Sequence, residues 1–359
     1  MPRRSILDIA ALAGVSPATV SRAFSQPELV ARDTLDRIRA VAREQNFRPN
    51  RVGRSLRSGR TRTLGLIVPT LANPVFAECL EGAERHARAA GFSVMVSTTG
   101  YDPDSETHAV QLLFDHQIDA LLLTVADAAT SACLPMVRDS GLPYVLVYNE
   151  SADHPYVSVD NVAASGDLAC ALSAQGHRHL AFITGPLRAS DRAVLRLQGA
   201  RERYAALGLP PVLHAEMPVH TASDLRVLAT LLEQAPELTA LFCSNDLLAS
   251  AVIADLARLG LQVPRDLSVC GFDGMAFGRM MTPPLTSLEQ PNTAIGEHAC
   301  AYLLETLQGD DAPAASSLAL RLPHRLMTGG TVGPAATTRV TPRIPDAFAS
   351  GAPTPRASS

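Results

Sequence analysis

The chain has 359 residues, 47% of them hydrophobic and 18% charged, a balance that fits two or three folded domains and excludes a disordered polymer. No apolar run reaches the roughly 18 residues a membrane helix needs, and the arginines at the N-terminus precede no apolar signal core, so a cytoplasmic protein is expected. The net charge of −4 is the sum of two unlike parts: residues 1–62 hold 13 Arg against 5 acids, and the remainder 18 Arg against 30 acids, with no lysine anywhere. A basic arm on an acidic body points to nucleic-acid contact confined to the first sixty residues.

Three short helices are expected first. Ser5 precedes Ile6, Ile9, Ala10 and Ala13, with Asp8 placed for a capping box, and Gly14 ends the helix. Ser16 caps a second helix with Pro17 at its first position, where a missing N–H costs nothing, and Val20, Ala23 and Phe24 form its apolar face. The third runs from about Asp33 to Gln45 with Leu35, Ile38 and Val41 inward. A fourth, from Asn50 to Gly59, carries Val52 and Leu56 on one face among Arg51, Arg54 and Arg57. It is too short to stand alone in water, so it needs a partner to fold.

From Thr63 the texture changes to strand–helix alternation. Strands are expected at Leu64–Val68, Ser93–Ser97, Ala120–Thr124 and Tyr144–Tyr148, and a second set at Leu180–Thr184, Val212–Glu216, Leu241–Cys243 and Ser268–Phe272. Helices fall between them, near 74–90, 104–116, 131–139, 161–174, 191–207, 222–234 and 246–259. This alternation predicts parallel sheets covered on both faces, in two similar subdomains with ligand space at the C-terminal strand ends. One last strand is expected at Leu318–Met327, and disorder beyond Gly333. The chain is thus α/β: a helix-turn-helix at 1–48, the short fourth helix and linker at 49–62, a body of two doubly wound parallel-sheet subdomains at 63–330, and a disordered tail at 331–359.

The six cysteines lie far apart with no Cys-x-x-Cys pair, so neither a zinc site nor a disulfide framework is expected, and they read as small buried apolar residues. No cofactor or metal is implied. His177 and His179, in a loop before a strand, suit surface or capping roles better than metal binding.

The stretch from Ile6 to Arg22 has helix-turn-helix mechanics, which place the leading residues of the second helix in the major groove. There Pro17, Ala18 and Arg22 face base edges, Ala18 by apolar contact and Arg22 by bidentate bonding to guanine. Ser16, Thr19 and Ser21 suit phosphates, which position without specifying. This motif, with Asn46-Phe47-Arg48-Pro49-Asn50 and the hinge Arg51-Val52-Gly53-Arg54-Ser55-Leu56, resembles the lactose/galactose repressor family, over residues 5 to about 330. The resemblance implies that Asn50, Arg51, Arg54 and Leu56 belong to a hinge that pairs with its partner's in the minor groove, Leu56 wedging between base steps. Gly53 stands where the family usually has alanine, at a cost of about 1 kcal/mol in a helix.

The body resembles a periplasmic sugar-binding protein. By that resemblance Arg196, Asn245 and Asp273 fall at pocket positions, with Phe76 across the cleft able to stack on a ring face. Tyr148 takes a position where many members have aspartate, and His220 and Gln290 complete the candidate effector site. Asp246 reads as the cap of the helix that follows it. Stretches 73–82 and 272–286 look most like the gluconate-type branch, which points to a sugar acid with Arg196 on its carboxylate.

A homodimeric, effector-responsive repressor reading a pseudo-palindromic operator in double-stranded DNA is therefore expected, switched by a small polar metabolite or by a protein co-effector. A transporter's solute-binding protein is the alternative, and the basic arm argues against it. No Gly-x-Gly-x-x-Gly, Gly-x-Ser-x-Gly or P-loop follows a strand, so nothing supports an enzyme. Prolines and the lack of heptads after Gly309 remove the leucine-heptad route to a tetramer.

Overall fold

The computed structural model describes residues 4–47, 60–309 and 318–336. The chain divides into two compact units between Thr61 and Arg62.

The first unit contains α1 (Ile6–Ala13), α2 (Pro17–Ser25) and α3 (Arg32–Glu44). Helices this short are marginal alone, so end caps and a shared core must hold them. The Ser5 amide donates to the Asp8 carboxylate at 2.8 Å while the Asp8 amide donates back to Ser5 Oγ at 3.3 Å, the reciprocal box expected from the sequence. Gly14 closes α1 at φ 62°, a left-handed conformation that favours glycine. Ile9, Ala10, Ala13, Val20, Ala23 and Ile38 form the core, with Phe24, Leu35 and Val41 packed against it.

The second unit begins with β1 (Thr63–Val68), α4 (Pro74–Ala89), β2 (Ser93–Thr98), α5 (Pro103–Asp115), β3 (Ala120–Leu123) and α6 (Cys133–Asp139). It continues with β4 (Tyr144–Val147), β5 (Tyr156–Val159), α7 (Asn161–Ala174), β6 (Leu180–Thr184) and α8 (Asp191–Ala206). Next come β7 (Leu213–Glu216), α9 (Leu225–Gln234), β8 (Ala240–Cys243), α10 (Asp246–Arg258) and β9 (Ser268–Asp273). The last elements are α11 (Ala276–Met280), β10 (Thr286–Glu289), α12 (Asn292–Gln308), β11 (Ala319–Leu322) and β12 (Arg325–Met327).

Two six-stranded sheets result, ordered β11-β5-β4-β3-β1-β2 and β12-β10-β9-β8-β6-β7. Every strand pair is parallel except β10 with β12. Both are doubly wound, and such sheets bind ligands at the C-terminal ends of their strands. The chain passes between the lobes after β5, after β10 and again between β11 and β12. Accordingly α12 packs into the core of the first lobe, beside Leu64, Val75 and Cys79. There α4 and α12 touch backbone to backbone, since a Cβ on Gly82 would collide with Thr293 O and one on Gly296 with Cys79 O.

The structure corrects the sequence reading in several places. The single strand expected at Leu318–Met327 is two, broken at Pro323, with one half on the edge of each sheet; proline has no N–H to donate to a ladder. The strands β5 and β10 and the helix α12 were not expected. Residues 331–336, assigned to a disordered tail, are packed: Thr331 is fully buried, its Oγ1 accepts from Thr286 N at 2.9 Å, and Ala335 N donates to Gln175 O at 3.0 Å. His177 is fully buried too, tied to Thr239 Oγ1 at 3.0 Å and to Gly333 O at 2.9 Å. No single described helix is long and apolar enough to cross a membrane.

Candidate functional site

In the first unit, Ser16, Pro17 and Ala18 are exposed at the start of α2 and Arg22 in its last turn, with Thr19 and Ser21 half-buried between them. Ser16 Oγ accepts from Thr19 N at 3.1 Å and meets Thr19 Oγ1 at 2.9 Å. These two hydroxyls thus build the cap, while Pro17, Ala18 and Arg22 are left facing outward. The expected hinge residues Asn50, Arg51, Arg54 and Leu56 lie outside the described residues.

In the second unit, a narrow cavity between the lobes is lined by Phe76, Tyr101 and Tyr148 from one side and by Arg192, Arg196, Asn245, Asp273 and Gln290 from the other. Its volume is about 40 Å³, room for a water or so and far below the roughly 300 Å³ at the small end of ligand pockets.

Asp273 ends β9 and is 2% exposed. Its carboxylate accepts from Gln290 Nε2 at 2.8 Å, Arg196 Nη1 at 3.4 Å and Asn73 Nδ2 at 3.5 Å. Burial pushes its pKa up to about 6, with Arg196 opposing the shift. Arg196, on one face of α8, places its guanidinium carbon 3.6 Å from the Phe272 ring centroid and also donates to Asn161 Oδ1 and Ser244 O. Burial lowers its pKa to about 10, opposed by Asp273. Both shifts run toward neutrality, and each group opposes the other's, as expected of two buried partners in contact at 3.4 Å.

The sequence-predicted effector residues Phe76, Tyr148, Arg196, Asn245, Asp273 and Gln290 all reach this cavity. His220 does not line it; its ring stacks on Tyr101 at 4.2 Å across the cleft, and its buried Nε2 has no hydrogen-bond partner among the described residues. Burial lowers the His220 pKa to about 4, with Arg192 adding to the shift. Gln290 Oε1 is likewise buried and unpartnered. The Tyr148 hydroxyl is committed within the protein, donating to Val75 O at 2.8 Å, and its ring meets Phe76 edge-on at 5.5 Å. Tyr148 therefore borders the cavity by its ring rather than by its polar atom.

The helix-capping role expected of Asp246 belongs to its neighbour. Asn245 Oδ1 accepts from Leu248 N at 2.9 Å, and its Nδ2 donates to His220 O at 2.8 Å. Asp246 is the first helical residue and turns inward.

The sequence reading missed Asn73 as a pocket residue, along with Tyr101, Arg192 and Ser244. Arg192 had a signal: it precedes Arg196 by four residues on one helix, which places both on the same face. Tyr101 had none, since it reaches the cavity from a turn after β2 at φ 64°. Among the described residues no group of three or more His, Cys, Asp or Glu is placed to hold a metal.

A capped helix-turn-helix followed by a two-lobed binding body defines an effector-controlled DNA-binding regulator. Residues 5–50 match the model of bacterial regulatory proteins, lacI family, and residues 169–332 that of a periplasmic binding protein-like domain. The chain belongs to the LacI family. It is 32% identical to the HTH-type transcriptional repressor PurR of Aliivibrio fischeri, over 86% of this chain and 93% of that one. It is 30% identical to the HTH-type transcriptional regulator GntR of Escherichia coli, over 92% and 99% of the two chains. A crystal structure of the lac repressor dimer bound to operator superposes with a TM-score of 0.80 at 24% identity, over 92% of this chain and 100% of that one.

Proposed function

We propose that the protein is a homodimeric repressor whose effector is a small sugar acid held between the lobes. The effector class rests on Arg192 and Arg196, one helical turn apart on α8 and both buried at the cavity. Guanidinium groups grip a carboxylate in a fork. Asp273, Asn73 and Gln290 are placed to exchange hydrogen bonds with hydroxyls, and the Phe76 and Tyr101 rings offer flat faces to the C–H side of a sugar chain. On the DNA, Ala18 and Arg22 read base edges while a pair of hinge segments, with Asn50, Arg51, Arg54 and the wedge Leu56, engages the minor groove. Dimer symmetry is supported by the fold shared with the lac repressor dimer. Lobe closure on the effector changes how two hinges can pair, so operator and effector affinities are reciprocally coupled.

A thermal-shift panel of D-gluconate and other aldonic acids, keto acids, neutral sugars and purines tests the effector class. A ligand at 100 times its Kd adds about 2.7 kcal/mol of stability. The expected result is an aldonic-acid shift that disappears in Arg196→Ala and shrinks in Arg192→Ala, each read against its own ligand-free Tm. A shift only with purines, or none with any acid, overturns the sugar-acid class.

A further inference from the structure

Asn245 and Asp246, adjacent at the end of β8, point in opposite directions. Asn245 ties the loop that carries His220. Asp246 is fully buried, does not border the cavity, and reaches the turn that follows β9. One of its carboxyl oxygens accepts from Met275 N at 2.7 Å, and the other shares a hydrogen bond with Ser287 Oγ at 2.5 Å. Ser287 Oγ in turn accepts from Gly274 N at 3.2 Å. Both amides immediately after Asp273 are thereby held, one directly and one through the serine.

That turn needs holding. Asp273 sits at φ 114°, a conformation costly for any residue with a Cβ, and Gly274 follows at φ 71°. The contacts of the Asp273 carboxylate itself are all with cleft side chains, Arg196, Gln290 and Asn73, groups that an effector would draw upon. The anchor that does not change on binding must come from behind. β9 is shaped for it: a Cβ on Gly271 would collide with Asp246 Oδ1.

We infer that Asp246 is a positioning residue of the effector site, holding the 273–275 turn in its strained conformation so that Asp273 is aimed into the cleft. It deepens the effector-site reading above and rests on it. Burial, with the nearby Asp273 charge second, pushes the Asp246 carboxyl up to about 8, which favours the protonated acid, whose O–H donates to Ser287 Oγ. Its work is hydrogen bonding rather than charge. Asparagine can reproduce that, accepting from Met275 N with its oxygen and donating to Ser287 Oγ with its nitrogen.

The test compares Asp246→Asn, Asp246→Ala and Ser287→Ala in the full-length protein. Without ligand, amide hydrogen exchange should be unchanged in Asp246→Asn. In Asp246→Ala it should be about tenfold or more faster at Gly274 and Met275, with the β6 and β8 amides still protected. By calorimetry with D-gluconate, Asp246→Asn should bind like the wild type and Asp246→Ala about tenfold or more weakly. Unchanged exchange at 274–275 in Asp246→Ala overturns the role, as does an Asp246→Asn protein as impaired as the alanine variant. Failure of the wild type to bind gluconate counts against the sugar-acid reading alone, and the exchange measurement then decides. If Asp246→Ala does not fold, Ser287→Ala replaces it: faster exchange at Gly274 supports the role and unchanged exchange refutes it.

Discussion

Arg196 is the most heavily used side chain in the cleft, serving Asn161, Ser244, Asp273 and the Phe272 ring at once. Removing it leaves the Asp273 carboxylate buried without its cation, and losing one partner of a buried pair costs about 3–5 kcal/mol. Urea denaturation of Arg196→Ala should show that loss as a lower midpoint with an unchanged slope. Tyr148 makes a contrasting case. Its hydroxyl bonds Val75 O while its ring fills the first-lobe wall, so Tyr148→Phe should cost about 1 kcal/mol in stability. Effector affinity in that variant should stay close to the wild-type value, because the lost hydroxyl is already engaged with Val75 O. On α2, Arg22 is exposed and free of capping duty. Arg22→Ala should relax base preference in a DNA selection by about 1–3 kcal/mol, the worth of the bidentate guanine contact proposed for it.

Between elements, the tightest packing is helix on helix. The α4–α12 contact leaves no room for a side chain at Gly82 or Gly296, and forcing a methyl into such a seam costs roughly 1–3 kcal/mol or more. Gly296→Ala should accordingly lower the denaturation midpoint of the body and leave the helix-turn-helix unit melting as before. Most elements could be read from local pattern, since caps such as Ser5 and Ser16 act over three residues and strand runs such as Ala120–Leu123 are continuously apolar. β10 was not readable, because Thr286-Ser287-Leu288-Glu289 offers one large apolar residue and only the neighbouring β9 makes it a strand. β5, four residues long, is too short for a period to show. The helix α12 did carry a signal, with Ile295, Ala299, Leu303 and Leu307 recurring every fourth residue, yet it was absent from the expected elements.

For the whole molecule, folding couples to pH through His220. Its pKa falls from 6.5 to about 4 on burial, so the unfolded chain binds the proton better. The stability this residue contributes is complete above pH 6.5 and is lost as pH falls toward 4, on the order of 3 kcal/mol in all. Asp273, raised to about 6, acts with the opposite sign, favouring the fold as pH drops through 6 toward 3.8. The histidine share is therefore read as a difference: His220→Phe should be less acid-sensitive than the wild type between pH 6.5 and 4. Equal acid sensitivity of the two proteins would contradict that assignment.

The sequence alone determined what depends on near neighbours: two capped helices around a glycine turn, a basic arm on an acidic body, and two rounds of strand–helix alternation. Its resemblance to a periplasmic sugar-binding protein also put Arg196 and Asp273 at pocket positions, which local pattern alone did not. Only the tertiary structure decided which polar atoms remain available there. Asn73 and Asp273 lie 200 residues apart and meet because the chain passes repeatedly between the lobes. The same passages commit the Tyr148 hydroxyl to Val75 and turn Asp246 away from its helix toward Met275. A hydrogen bond forms at about 3 Å and is directional, so its partner is set by where the backbone returns in space, which local sequence does not specify.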